Sequence, residues 1–325
     1  SGVRAALRMG LFEAKKCRTP SHAAVHQAVE AVRAVGLNRA TGMVNAVLRK
    51  AAVAPLSEDP HHVLPSWLAD RWCDHGEWIA RIREPASINI AGQLPDELEL
   101  RPATLDGKTI DSLWTLPPGG GNVTELPGFS EGLFWVMDPA AAKVADMVIA
   151  SVGGKGTVLD ACAAPGGKSC RLAREGLKVT AIDRDPDRLD QMAENLHRLN
   201  IDVSLNVHDW VSGPMDPKTT FDAVLVDAPC TGLGIVRRHP EIIWRRQPGD
   251  MAAMAITQRI ILRHASTHVK PGGALIYAVC STEKEEGGDV AASLAGWQIE
   301  EAWASAPPSG DEDGFQAFVL RRDRD

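Results

Sequence analysis

Apolar and polar positions divide the chain into three stretches. From about residue 131 onward, continuous apolar runs at 156–161, 178–183, 202–207, 221–227 and 273–279 alternate with longer amphipathic stretches at about 167–175, 185–199 and 250–269. Short apolar runs without polar alternation are what strands buried on both faces require. Separated by helices, they predict a parallel sheet covered on both sides, a Rossmann-like α/β domain over 131–325. Residues 1–56 instead carry helical spacing: Val25, Val29, Val32 and Val35 recur on one face, and Gly36 ends the run. Thr19-Pro20 offers an N-cap followed by a proline in the first helical position. A second helix over 39–50 places Met43, Val44, Val47 and Leu48 on one side, and Val3, Leu7 and Leu11 open the chain inside a helix, as if its domain began earlier.

Between these regions, residues 57–130 read as a small α/β module. Trp67, Leu68, Trp72, Trp78 and Ile79 mark helix around 66–83, and strand-like pieces follow at 87–90 and 98–101. The turn-rich LPPGGG at 116–121 closes the module as a flexible connection.

Composition changes this picture in three ways. The 325 residues suffice for two or three cores, and 44 % hydrophobic with 24 % charged residues is ordinary for a globular chain. No run of eighteen apolar residues and no signal peptide is visible, so a cytoplasmic location without a membrane is the expectation. Net charge is −7, yet residues 1–50 alone carry +7, which leaves −14 for the rest. A basic segment on an acidic protein suits a polyanion docking at one place, although solvated helix faces would give the same count. The six cysteines (17, 73, 162, 170, 230 and 280) show no C-x-x-C pair, which argues against a disulfide framework or a zinc site.

Candidate chemistry sits at the strand ends. Pro165, Gly166 and Gly167 lie between the first strand of the domain and a helix, where backbone N–H groups can approach a ligand, and Lys168 adds a cation. Asp183 ends the next strand and can accept both hydroxyls of a ribose. Asp209 ends the third and could accept from an adenine amino group. Singly, each aspartate also reads as a cap or turn residue; three features at consecutive strand ends favour a nucleotide-type cofactor. Asp227 and Cys230 end the fourth strand, in DAPC, and Cys280 ends the fifth. If those strands are neighbours, two thiols and a carboxylate converge. Both cysteines are followed by polar turn residues, and a thiolate at a strand-to-helix junction can have a lowered pKa. Cys17, Cys73 and Cys170 read as small core residues, and Cys162 as a wall of the cofactor loop.

These residues carry a resemblance that spans nearly the whole chain. DACAAPGGK (160–168), DAPCTGLG (227–234) with Arg237, Arg238, His239, Pro240 and Trp244 after it, Cys280-Ser281-Thr282, and Asp313-Gly314-Phe315 resemble, in order, motifs of the Nop/Sun family of RNA cytosine-C5 methyltransferases. The likeness is closest to its bacterial Sun/Fmu (RsmB) branch, which acts on 16S ribosomal RNA. TGMVNAVLR (41–49) is similar to the NusB-like RNA-binding domain of that branch. Met137, Val279 and Gln316 depart from the residues usual there.

The resemblance implies S-adenosylmethionine as cofactor, held by Cys162, Ala163, Ala164, Pro165, Gly166, Gly167, Lys168, Asp183, Asp209 and Asp227. It implies 16S rRNA as partner and no metal; a monomer is the default expectation. Cys280 would attack C6 of the cytosine, Asp227 would hold the N3/N4 edge, and Cys230 would assist proton removal and release. Arg237, Arg238, Arg245 and Arg246 could hold flanking phosphates, or form surface salt bridges instead. Three other readings stay open: a transfer RNA substrate, a DNA-type enzyme with the cysteine of DAPC as nucleophile, and a non-catalytic RNA-binding assembly factor.

Overall fold

The computed structural model describes the chain except residues 1, 56, 58, 73, 75, 83, 96, 118–120, 306–311 and 323–325, and omits the side chains of Pro60, Glu77, Trp78 and Arg81. The readings of Cys73, of the Trp78 side chain and of the middle of the 116–121 turn lie outside the described residues.

Two compact units meet at Val63 and Leu64, so the boundary expected at 56/57 moves seven residues on. The first unit is helical: Gly2–Lys16, Ser21–Ala34 and Thr41–Val53 pack around Val25, Ala28, Val32, Val44 and Leu48. Two details differ from the sequence reading. Pro20 itself takes the N-cap position with no side-chain cap, and its carbonyl accepts from Ala23 N and Ala24 N. On the third helix only Val44 and Leu48 are buried, four residues apart, whereas Met43 and Val47 are exposed. Gly36 stops the second helix as expected, in the left-handed conformation (φ 78°) that glycine adopts without steric cost.

The second unit contains two sheets. In the smaller, β1 (Ile88–Gly92), β2 (Arg101–Leu105), β3 (Lys108–Leu116) and β4 (Phe134–Val136) run in the order β2-β3-β1-β4. The strand expected at 98–101 is absent from 98–100, where Leu98 N donates to Pro95 O and irregular chain follows; strand begins only at Arg101. Helix over 66–83 resolves into two short pieces, Ser66–Arg71 and Gly76–Arg81. No boundary falls at 130/131, because β4 completes the small sheet and β1 alternates faces: Ile90 packs with Leu116 and Phe134, while Ala91 joins Met137, Ala140 and Val144 in the main core.

The larger sheet comprises β5 (Thr157–Asp160), β6 (Lys178–Asp183), β7 (Ser204–Val207), β8 (Phe221–Asp227), β9 (Val269–Val279), β10 (Trp297–Ala304) and β11 (Gln316–Arg322), ordered β10-β11-β9-β8-β5-β6-β7. Five strands are parallel, and the β10–β11 hairpin, unexpected from sequence, adds antiparallel to β9. Period-two alternation splits the core into two layers. Val158, Ala223, Leu225 and Ile276 face the helices Pro139–Ser151, Gly167–Arg174 and Pro186–Leu199. Leu159, Val224, Val226 and Tyr277 face the helix Pro248–Ser266. Each fully buried Val, Leu or Ile among these contributes about 1.5–3 kcal/mol of burial free energy, which is why these strands read as continuous apolar runs.

The chain builds outward from β5 through β6 to β7, then returns to lay β8 on the other side of β5. The carboxyl ends of β5 and β8 therefore flank the switch point, where open α/β sheets bind ligands.

Candidate active site

At the last position of β5, Asp160 is 1 % exposed and accepts from Ser169 Oγ at 2.7 Å, while its other oxygen, Oδ1, is buried without a partner. Burial raises its carboxyl to about 6. The turn that follows depends on Gly166, at φ 99°, where an added Cβ would stand 2.8 Å from Met192. Lys168, on the first turn of the next helix, reaches back to Asp227 at 2.6 Å. Burial works against its charge, but Asp227 outweighs burial and holds the ammonium above the ordinary lysine range. Val136, Met137, Asp138, Asp160, Lys168 and Asp227 wall a cavity of about 160 Å³. Its unpartnered, buried carboxylate oxygen suits the ammonium end of an amino-acid-bearing ligand.

A larger cavity of about 630 Å³ adjoins it along the strand ends, lined by Cys162, Asp183, Asp209, Asp227, Cys230 and Cys280 among others. Asp183 is 4 % exposed and accepts from Ala164 N and Asp185 N, each at 3.1 Å, with Arg188 at 3.4 Å. It braces the glycine turn and also walls the cavity. Asp209 caps its own turn through Val211 N at 2.9 Å and is exposed at the cavity edge. Beside it Trp210 is buried, donates to Ala161 O at 2.7 Å, and so ties the loop after β7 to the loop after β5. Burial, then Asp160, pushes the Cys162 thiol well up, which suits a wall rather than a nucleophile.

Because β8 and β9 are neighbours, Cys230 and Cys280 meet with their sulfurs 3.3 Å apart. The lowered pKa expected at both does not hold at Cys230: its hydrogen bond with Cys280, then burial, pushes the thiol well above the ordinary cysteine range. No helix of length follows either thiol to supply a dipole; Cys230 leads into the short turn Leu233–Ile235, and Gly288–Ala291 begins eight residues after Cys280. Gly234 N donates to Cys280 O at 3.1 Å, and Gly314 N to Gly234 O at 2.8 Å. A Cβ on Gly234 would lie 1.8 Å from Gly314 O, so only glycine permits this approach. Gln316 donates to Ser281 O (2.9 Å) and Glu283 O (3.0 Å), so this departure from the family pattern supports the Cys280 loop.

The four arginines separate. Arg238 is corrected from phosphate contact to internal support: it donates to Asp313 at 2.7 Å, Asp138 at 2.8 Å and Ser87 O at 2.6 Å. Arg237 is half-buried and acts on Asp313 as a neighbouring charge. Arg246 lines the larger cavity, its Nε on Thr231 O at 2.8 Å, and Arg245 is exposed. A further correction concerns Cys17, which is exposed and no core residue; Cys170 is buried.

Asp313 has a measurable consequence. Burial, then Asp138, raises its carboxyl from 3.8 to about 7 against the pull of Arg238. The folded protein thus keeps a proton that the unfolded chain releases, so this group's contribution to stability falls as pH rises from about 4 to 7. Asp313→Asn should remove that part of the slope. Urea midpoints of parent and variant at pH 5 and pH 8 would show it, and equal slopes would count against the raised carboxyl.

Sequence reasoning missed Asp138, Asp160, Arg188 and Glu286. Asp160 opens the DACAAPGGK motif at the end of an apolar run, and that position was the available signal. Among the described residues no cluster of three or more His, Cys, Asp or Glu could hold a metal ion, and no helix is long and apolar enough to cross a membrane.

A doubly wound sheet with a glycine turn after β5, acids at the ends of β6 and β7, and a pair of cysteines beyond β8 and β9 is that of a Rossmann-like, S-adenosylmethionine-dependent methyltransferase. Residues 148–302 match the family described as 16S rRNA methyltransferase RsmB/F, and residues 1–53 match the NusB family. Ribosomal RNA small subunit methyltransferase B of Shewanella oneidensis is 34 % identical over 89 % of this chain and 72 % of its own length. The Xanthomonas campestris protein of that name is 32 % identical over 98 % and 76 %. The crystal structure of NSun6 from Pyrococcus horikoshii with SFG is 27 % identical, with a TM-score of 0.56 over 63 % of this chain and 57 % of that one. A methyltransferase homolog protein from the same organism, 21 % identical, shares the fold at a TM-score of 0.64 over 79 % and 95 %. The chain belongs to the RsmB/F family of rRNA methyltransferases.

Proposed function

We propose that the protein methylates C5 of a specific cytosine in 16S rRNA through a covalent bond between Cys280 and C6. The observation that carries this reading is the 3.3 Å approach of Cys230 and Cys280 beside Asp227, at the carboxyl ends of neighbouring strands. S-adenosylmethionine, when bound, supplies an electrophilic methyl group. The glycine turn, Asp160, Asp183 and Asp209 would hold it.

Cytosine C5 is a weak nucleophile until something adds at C6. The Cys280 sulfur forms a bond to C6, which pushes the ring's electron pair onto C5 and makes it able to take a methyl group. Asp227, kept in place by Lys168, accepts from the N3/N4 edge as the ring gains a proton. After transfer the C5 proton is lost to solvent, its electron pair re-forms the C5–C6 double bond, and the Cys280 sulfur departs with the pair of the S–C6 bond. Cys230 assists here: its thiol, held protonated, is a hydrogen-bond donor at the distance a departing thiolate needs.

Reaching C6 within a stem costs about a few kcal/mol of unstacking. Arg245 and Arg246, beside the cavity mouth, orient flanking phosphates, and the basic first unit supplies the remaining RNA grip. A cytoplasmic location fits that substrate. Tritium transfer from labelled S-adenosylmethionine to unmodified 16S RNA, with transfer RNA as comparison and bisulfite sequencing of the product, tests the reading. Label only on transfer RNA, or on no RNA, would overturn it.

A further inference from the structure

Glu286 is fully buried, and no step above uses it. Its Oε1 accepts from Thr231 N at 2.8 Å and Gln258 Nε2 at 3.2 Å. Its Oε2 accepts from Ser281 Oγ at 2.7 Å and from Thr231 Oγ1. Thr231 follows Cys230 and Ser281 follows Cys280, so a single carboxylate grips the residue next to each thiol. Gln258 extends the grip by donating to Pro229 O at 2.9 Å, on the other side of Cys230. Tyr277, three residues before Cys280 on β9, donates its hydroxyl to the Glu286 carbonyl.

We propose that Glu286 is a positioning residue that sets the separation of Cys230 and Cys280, and with it the handover from attack to release. The inference rests on the two-thiol reading above. A carboxylate offers about four acceptor directions, and four donors occupy these. Thr231 and Ser281 sit on loops after different strands, and the direct hydroxyl contact between them is 3.5 Å, at the limit of a hydrogen bond. The carboxylate is the joint. Glutamine in its place has the same size but turns two N–H groups toward donors, which opens one side of the clasp.

The separation can be read without any RNA. A diazene oxidant such as diamide takes two hydrogens from a close thiol pair, forming the S–S bond while it is reduced to the hydrazine. In the intact protein Cys230 and Cys280 should oxidise rapidly, seen by mass after alkylation. Glu286→Gln should slow that step at least about tenfold and lower kcat for 16S RNA by about 10²-fold, the scale expected for ångström misplacement. KM for RNA and S-adenosylmethionine affinity should stay near parental values, while the melting temperature falls because buried donors lose their acceptor. Parental oxidation rate and kcat in a folded Glu286→Gln protein would overturn the proposal, as would a lowered melting temperature with both rates intact. Should Glu286→Gln fail to fold, Ser281→Ala decides: it removes one donor from the Cys280 side alone, and the same two rates should fall less steeply. Unchanged rates in Ser281→Ala would then overturn it. Failure of the two-thiol reading shows differently, as a Cys280→Ala protein that still methylates, whatever the oxidation rates.

Discussion

Cys280→Ala is expected to lower methyl transfer to 16S RNA by roughly 10³–10⁶-fold, the loss seen when a covalent nucleophile is removed from an otherwise intact site. Nothing else at the site supplies the missing electron pair in the same place. Cys230 lies 3.3 Å away; the variant removes the Cys280 hydrogen bond that does most to raise its thiol, but burial still pushes it up, and burial likewise raises Cys162. Asp160, Asp183 and the glycine turn are untouched, so S-adenosylmethionine should bind the variant as it binds the parent. Tritium incorporation gives the rate, and calorimetric titration with the cofactor gives the control. A Cys280→Ala protein that still methylates, alongside an inactive Cys230→Ala protein, would move the nucleophile to Cys230, as in the DNA-type arrangement.

The second large effect concerns release. Cys230→Ala should trap the enzyme on its RNA, giving a slow-migrating protein–RNA band on a denaturing gel once 16S RNA and S-adenosylmethionine are added. In the parent, Cys230 can donate a hydrogen bond to the Cys280 sulfur as it leaves as a thiolate. A hydrogen bond to a charged group is worth about 1.5–3 kcal/mol, so its loss slows release by roughly 10–100-fold and lets the adduct accumulate. The double variant Cys230→Ala/Cys280→Ala should show no such band, which separates covalent capture from tight binding. Multiple turnover by Cys230→Ala without any adduct would remove Cys230 from the release step.

The site was legible in part because its members end apolar runs. β5, β6, β8 and β9 read out as strands since both faces are buried, and Asp183 and Asp227 at their last positions and Cys280 just past β9 follow by position, whereas Asp160 at the end of β5 was passed over. β10 and β3 escaped notice because most of β10 and the first half of β3 are exposed, so neither continuous nor alternating apolar character marks them. Arg238 was misread for a related reason. Along the chain it stands in a run of basic residues, but its partners Asp138 and Asp313 lie 100 and 75 residues away. Glu286 gave no signal at all, since its donors come from residues 231, 258 and 281.

By itself the sequence determined which chemical groups this protein owns and the order in which strands and helices present them, because periodicity and turn chemistry act over a few neighbouring residues. The tertiary structure alone decided that β8 lies against β9, which brings two sulfurs 50 residues apart to 3.3 Å. It also decided which acid meets which base. Strand order and register are settled by burial across the whole sheet, and no local stretch of chain carries that information.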